Sequence, residues 1–149
     1  MDRKLIFKNR ILIVVISLLI LPGYCFANPG LPSSHSKLNI SVIYSNNNME
    51  GPTDLTVKDF IQFGLRPESE KEWKGIKGNR WILINTITDA FSGKKTVFKI
   101  LFEKVASPDR MIMKRILIDG QELMGYDKDM IVNQLLGNAI EKRNQSKKK

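Results

Sequence analysis

The sequence predicts an α+β domain: a three- to four-stranded antiparallel β-meander flanked by an N-terminal and a C-terminal amphipathic helix. Three observations predict it. Residues 81–88 (WILINTIT), 96–105 (TVFKILFEKV) and 110–118 (RMIMKRILI) are rich in β-branched and aromatic types. Only short turn-bearing stretches, DAFSGKK and ASPD among them, separate these runs, and short connections favour antiparallel neighbours. On either side, apolar residues recur at helical spacing, in residues 56–65 and again in 127–144.

Taken in order, residues 1–27 carry the pattern of a cleaved secretory signal. Arg3, Lys4, Lys8 and Arg10 give a positive start, residues 11–21 an apolar run broken by Ser17, and Pro22-Gly23 ends it. A membrane span needs about 20 apolar residues, which this run does not reach. Small residues at Cys25 and Ala27 place the expected cut after Ala27. Cys25 is the sole cysteine. Tyr24 stands before it where a lipoprotein signal requires a small residue, so Cys25 reads as part of the discarded peptide rather than as a lipid anchor. It reads no better as a nucleophile, which needs a positioned base and a depressed pKa. The remaining chain is then free of cysteine and of disulfides, and its apolar core must hold it in a periplasmic or extracellular setting.

Residues 28–37 contain Pro29, Pro32 and Gly30 among polar residues and read as a flexible leader. His35, the one histidine, falls in it and is expected to lack the rigid site that ligation or acid–base work requires. In residues 38–44, Leu38, Ile40, Val42 and Tyr44 point one way and Asn39 and Ser41 the other, the period of a short strand or of an extended arm lying on another protein. Residues 45–52, with SNNN and Gly51-Pro52, read as loop. Thr56 opens a helix: Thr56 and Asp59 have the spacing of a capping box, Val57, Phe60, Ile61 and Leu65 share a face, and Gly64 and Pro67 end it.

Residues 68–77 are dense in charge. Glu70 and Lys74 stand four apart, as in a surface helix pair, and a short exposed helix or turn is predicted there. After the three central strands, Asp119-Gly120 is a hairpin signal and residues 121–124 a short return strand. The middle strand is apolar on both faces, Phe98, Ile100 and Phe102 on one and Val97, Leu101 and Val105 on the other, which predicts helices or a partner on each side of the sheet. The final helix shows a stripe of Met130, Ile131, Leu135 and Ile140, widened by Val132, Leu136 and Ala139. One domain over residues 38–143 is expected, followed by a basic tail over 144–149.

The chain of 149 residues carries a net charge of +9. Four of its basic residues lie in the signal and Lys147, Lys148 and Lys149 in the tail, so the folded part is only mildly basic. That argues against nucleic acid as a partner and leaves peripheral contact with a membrane surface open. No histidine–cysteine metal set and no Ser-His or Cys-His pair can be assembled once the signal is removed. The phosphate-loop pattern fails at Ser92-Gly93-Lys94-Lys95-Thr96, where the upstream glycine position holds Thr88. The carboxylates at Glu68, Glu70, Glu72 and at Asp127, Asp129 read as a solvated face and a helix start. Catalysis and cofactors are therefore not expected.

The sequence reading is a non-enzymatic, exported interaction or adaptor module. Its partner is another exported or envelope protein or a second copy, held through a sheet edge or through Leu38, Ile40, Val42 and Tyr44. The alternative is a small binding protein for an apolar ligand or anionic lipid. Its pocket would lie between sheet and C-terminal helix, using Phe98, Phe102, Met111 and Met113. A third feature, Lys71, Lys74, Lys77 and Arg80 near Trp73 and Trp81, is a candidate anion-binding stripe.

Overall fold

The computed structural model describes residues 30–45 and 47–148. The signal-peptide reading, Cys25 included, falls outside them. Among the described residues, seven strands form one mixed sheet. The strands are β1 (Asn39–Ile43), β2 (Glu50–Thr56), β3 (Glu70–Ile76), β4 (Arg80–Thr88), β5 (Lys95–Ala106), β6 (Asp109–Ile118) and β7 (Gln121–Glu122). Their order is β2-β1-β6-β5-β4-β3, with β7 on the end of β6. A 3-10 turn, His35–Lys37, precedes β1, and two further helical segments accompany the strands. α1 (Val57–Asp59) continues as a π-helical turn, Phe60–Gly64, and α2 spans Gly125–Ser146.

This corrects the predicted three- to four-stranded meander with two flanking amphipathic helices. β3 to β6 do run as antiparallel neighbours. The sheet is nevertheless larger, and it is mixed, because β1 pairs parallel with β6, Ile40 beside Met111 and Val42 beside Met113. Parallel partners must be distant in sequence, so local pattern could not reveal them. β2 begins inside the loop predicted for residues 45–52, Gly51-Pro52 included, yet it pairs with β1 as an edge strand, where proline is tolerated.

β3 replaces the predicted exposed helix. Its residues alternate, Lys71 and Trp73 toward the core side and Glu70, Glu72 and Lys74 away, in register with β4 from Glu70 to Ile76. Charge spacing suggested 3.6-residue periodicity where the side chains follow period two. Accordingly Lys74 pairs with Glu72, 3.4 Å away on the same strand face, in place of Glu70.

The expected capping box is present. Thr56 Oγ1 accepts from Asp59 N at 3.1 Å, and Asp59 Oδ2 accepts from Thr56 N at 3.3 Å. The helix it opens is short, because Gly64 is followed by extended backbone at Leu65. Asp119 and Gly120, with φ of 50° and 86°, form the tight turn into β7. β6 is bulged: Phe102 faces Met113 and Leu101 faces Arg115, leaving Lys114 unpaired. The bulge shifts the inward set from Met111 and Met113 to Ile116, which explains why RMIMKRILI does not alternate strictly.

One face of the sheet holds the core. Ile40, Val42, Leu55, Leu83, Ile100 and Phe102 are fully buried there, with Phe60 edge-on to Phe102 at 6.2 Å. α2 closes it with Val132, Leu136 and Ala139, so the predicted stripe is rotated: Met130 is exposed, and the residues expected to widen the stripe are its centre. On the opposite face Ile82, Ile84, Leu101 and Val105 are half-buried among charged neighbours, and no helix among the described residues packs there.

α2 is tied to the start of the chain. Lys128 Nζ donates to the Ile43 carbonyl at 2.8 Å, and Ser45 N donates to Asp129 Oδ1 at 2.9 Å. Arg143 is nearly buried and donates to the Asp54 carbonyl at 2.8 Å and to Asp54 Oδ2 at 2.5 Å. That guanidinium holds the Asp54 carboxyl below its ordinary pKa, against the opposing effect of burial.

Candidate functional site

Between the sheet and α2 the packing opens into a cleft of about 320 Å³. Its floor is Ile87, Phe98 and Ile100, three side chains that β4 and β5 turn toward α2. α2 supplies one wall with Ile131 and Leu135, one helical turn apart, and the polar Gln134 and Asn138 at the lip. The end of the π-helical turn, Gly64 to Arg66, supplies the other wall. Lys142 stands one turn beyond Asn138. An adjoining hollow continues past Arg66, Ile87 and Phe98 to Lys94 at the β4–β5 turn. The result is an apolar trough with three cations, Arg66, Lys94 and Lys142, around its mouth. The carboxylate at that rim, Asp89, accepts from Phe91 N, Ser92 N and Ser92 Oγ. Those donors, with a smaller contribution from the Arg66 charge, hold it below its ordinary pKa, so it stands at the rim as a carboxylate.

The polar group deepest in the cleft is Asn85, 2 % exposed, between the inward-facing Leu83 and Ile87 of β4. The buried Ser69 hydroxyl lies 2.6 Å from Asn85 Oδ1 and 2.7 Å from the Arg66 carbonyl. A hydroxyl carries a single proton and serves one of these acceptors at a time. Ser69 is the hydrogen-bond partner that fixes the Asn85 amide at the bottom of the cleft.

Of the four side chains proposed for a pocket, the structure brings only Phe98 to the cleft. Phe102, Met111 and Met113 are fully buried in the core, where they pack against β1, α1 and Trp73. Of the candidate partner-binding residues, Ile40 and Val42 are fully buried in β1, between β2 and β6, and Leu38 packs at the core's edge. Tyr44 donates its hydroxyl to Asn133 Oδ1 at 3.2 Å. The proposed basic stripe is not brought together. Lys71 turns back to the Arg66 and Ser69 carbonyls at 2.7 and 2.9 Å, and Lys74 points to the other face, toward Glu72. Arg80 Nε donates to the Lys77 carbonyl at 3.1 Å within the β3–β4 turn.

Sequence reasoning missed Arg66, Asn85, Gln134, Asn138 and Lys142 as one constellation. A signal was present for one of them: Asn85 interrupts the inward run Trp81, Leu83, Ile87. It also missed His35. The imidazole lies against Trp81 at 4.8 Å between ring centroids, with a buried Nδ1 that has no hydrogen-bond partner. Burial, then Lys104, lowers its pKa, while Asp109 opposes the shift. Among the described residues no three His, Cys, Asp or Glu side chains cluster as metal ligands.

No protein-family model, no curated protein and no solved structure matches this chain.

Proposed function

We propose that this chain is a non-enzymatic, exported binding protein for an amphipathic anion, a molecule with an apolar tail and an anionic head. The reading rests on the cleft: an apolar floor of Ile87, Phe98 and Ile100 beside the buried Asn85, a wall of Ile131 and Leu135, and Arg66, Lys94 and Lys142 at the mouth. The tail would lie on Phe98 with its head at the cations, and Asn85 would take the polar atom that enters deepest. Apolar clefts with a few placed polar groups are the common form of small-molecule sites. Export is supported by the charge and apolar pattern of residues 1–27.

Calorimetry with decanoate, with decanol as the uncharged control, tests the site. Decanoate is expected to bind saturably and more tightly than decanol. Leu135→Trp, which fills the trough, should abolish binding. Lys142→Gln should weaken decanoate by about fivefold, the effect of about 1 kcal/mol for one exposed charge, and leave decanol unchanged. No saturable binding, or binding indifferent to Leu135→Trp, would overturn the reading.

The adaptor reading draws its own support from the uncovered sheet face bearing Ile82, Ile84 and Leu101. With Ile40 and Val42 inside the sheet, its contact surface would be that face or a sheet edge rather than an N-terminal arm.

A further inference from the structure

The two edges of the sheet are built differently. At β2, Pro52 removes a donor, the pairing with β1 loses register between Asn39 and Ser41, and Arg143 occupies the Asp54 carbonyl. These are the devices by which proteins blunt an edge against further pairing. β3 lacks these three, and its charged residues, which can also blunt an edge, alternate in sign. It holds unbroken register with β4 from Glu70 to Ile76, contains no proline, and among the described residues has no strand on its other side.

The β3 sequence EKEWKGI is also complementary to itself. Two copies run antiparallel about a two-fold axis through Trp73 set Glu72 opposite Lys74 of the second copy, and Lys74 opposite its Glu72. On the core-side face, Lys71 meets Gly75, which has no side chain to obstruct it, and Trp73 meets its own equivalent. Sliding by two residues one way keeps two attractions, Glu70 with Lys74, but opposes Glu72 to Glu72, and sliding the other way opposes Lys74 to Lys74 with no attraction. Because a slip must keep each face in place, these are the neighbouring registers to exclude. Charge therefore favours one alignment over both of them. Within one chain Glu72 and Lys74 already pair at 3.4 Å with 62 % and 41 % of their side chains exposed, so the dimer would join them into a ring of four alternating charges.

We propose that this protein forms a two-fold dimer by antiparallel pairing of β3 with β3 of a second copy, continuing the sheet across the interface. The proposal is independent of the cleft reading. Light scattering and sedimentation over a concentration series test it. The wild-type protein is expected to dimerise. Glu72→Lys and Lys74→Glu, each of which turns two attractions into two repulsions, should each weaken the dimer by about tenfold or more. The double exchange, Glu72→Lys with Lys74→Glu, restores opposite charges at both pairs and should restore the dimer. Lys74→Gln, which removes attraction without adding repulsion, should fall between wild type and Lys74→Glu. These positions are exposed, and far-UV circular dichroism checks that each variant keeps its fold. A wild-type monomer throughout the series, a dimer indifferent to the single exchanges, or a double variant as weak as the singles would overturn the proposal.

Discussion

Gly64 and Gly137 lie on two helical segments that pack together, and the same substitution is expected to act on them with opposite sign. A Cβ built at Gly64 meets the Leu135 carbonyl oxygen at 3.1 Å, Phe60 Cδ2 at 3.1 Å and the Ala139 Cβ at 3.2 Å. The first of these is backbone, and Phe60 and Ala139 are fully buried, so none of the three can swing aside. At Gly137, on the exposed side of α2, nothing lies within 4 Å. Replacing glycine by alanine in a helix ordinarily stabilises by about 0.5–1 kcal/mol, because the unfolded chain loses freedom. Gly137→Ala should deliver that gain. At Gly64 the same gain is opposed by overpacking of about 1–3 kcal/mol, leaving a net loss near 1–2 kcal/mol. For a domain of this size that corresponds to a fall in Tm of roughly 4–8 °C for Gly64→Ala and a rise of about 2–4 °C for Gly137→Ala. Urea titrations at unchanged slope measure both. A Gly64→Ala protein as stable as wild type would refute the close approach of α2 to the π-helical turn. A destabilised Gly137→Ala would refute the open surface on the far side of the helix.

Two further outcomes follow from the core and the leader. Phe102→Ala should destabilise by about 3–5 kcal/mol, because a fully buried ring is removed, whereas Phe98→Ala should lose much less stability and most of its decanoate binding. Urea titration and calorimetry on the same pair separate the two roles, and equal stability losses would contradict the distinction. His35, with its pKa lowered by burial, binds its proton in the unfolded chain before it does in the folded one. Stability should therefore fall as pH drops below about 6.5 and stop falling on this account once the folded imidazole protonates. His35→Gln should remove that slope. The carboxyls of Glu50 and Asp54 act in a lower range, because their partners Arg110 and Arg143 depress them. An unchanged slope in the variant would show that His35 titrates alike in both states.

What could be read in the sequence was what nearest neighbours decide. The Thr56–Asp59 box and the Asp119-Gly120 turn depend on residues no more than three apart, and the central strands on their own β-branched composition. β3 was misread because its outward positions are charged and its inward ones are Lys71, Trp73 and Gly75, so alternation was hidden from a hydrophobic count. β2 was missed because an edge strand tolerates the Gly51-Pro52 that marks loops elsewhere. The cleft assembles Arg66 with Lys142 and Asn85 with Gln134, pairs that only the tertiary fold brings together. Asn85 alone announced itself, as a polar residue on the inward face of an apolar strand.

β1 sits between two strands that are made at very different times. β2 follows it within a few residues, but β6 begins at Asp109, and the contacts from Lys128 and Asp129 that fasten the end of β1 come later still. During synthesis the first strand can form a hairpin with β2 and nothing more. Two-stranded hairpins are marginal in water. The core residues Ile40 and Val42 thus have no second neighbour until most of the chain exists, and closing so long a loop is the slow kind of folding step. β3 to β6 can pair in the order they are made, whereas β1 takes its place in the sheet only once β6 has followed it.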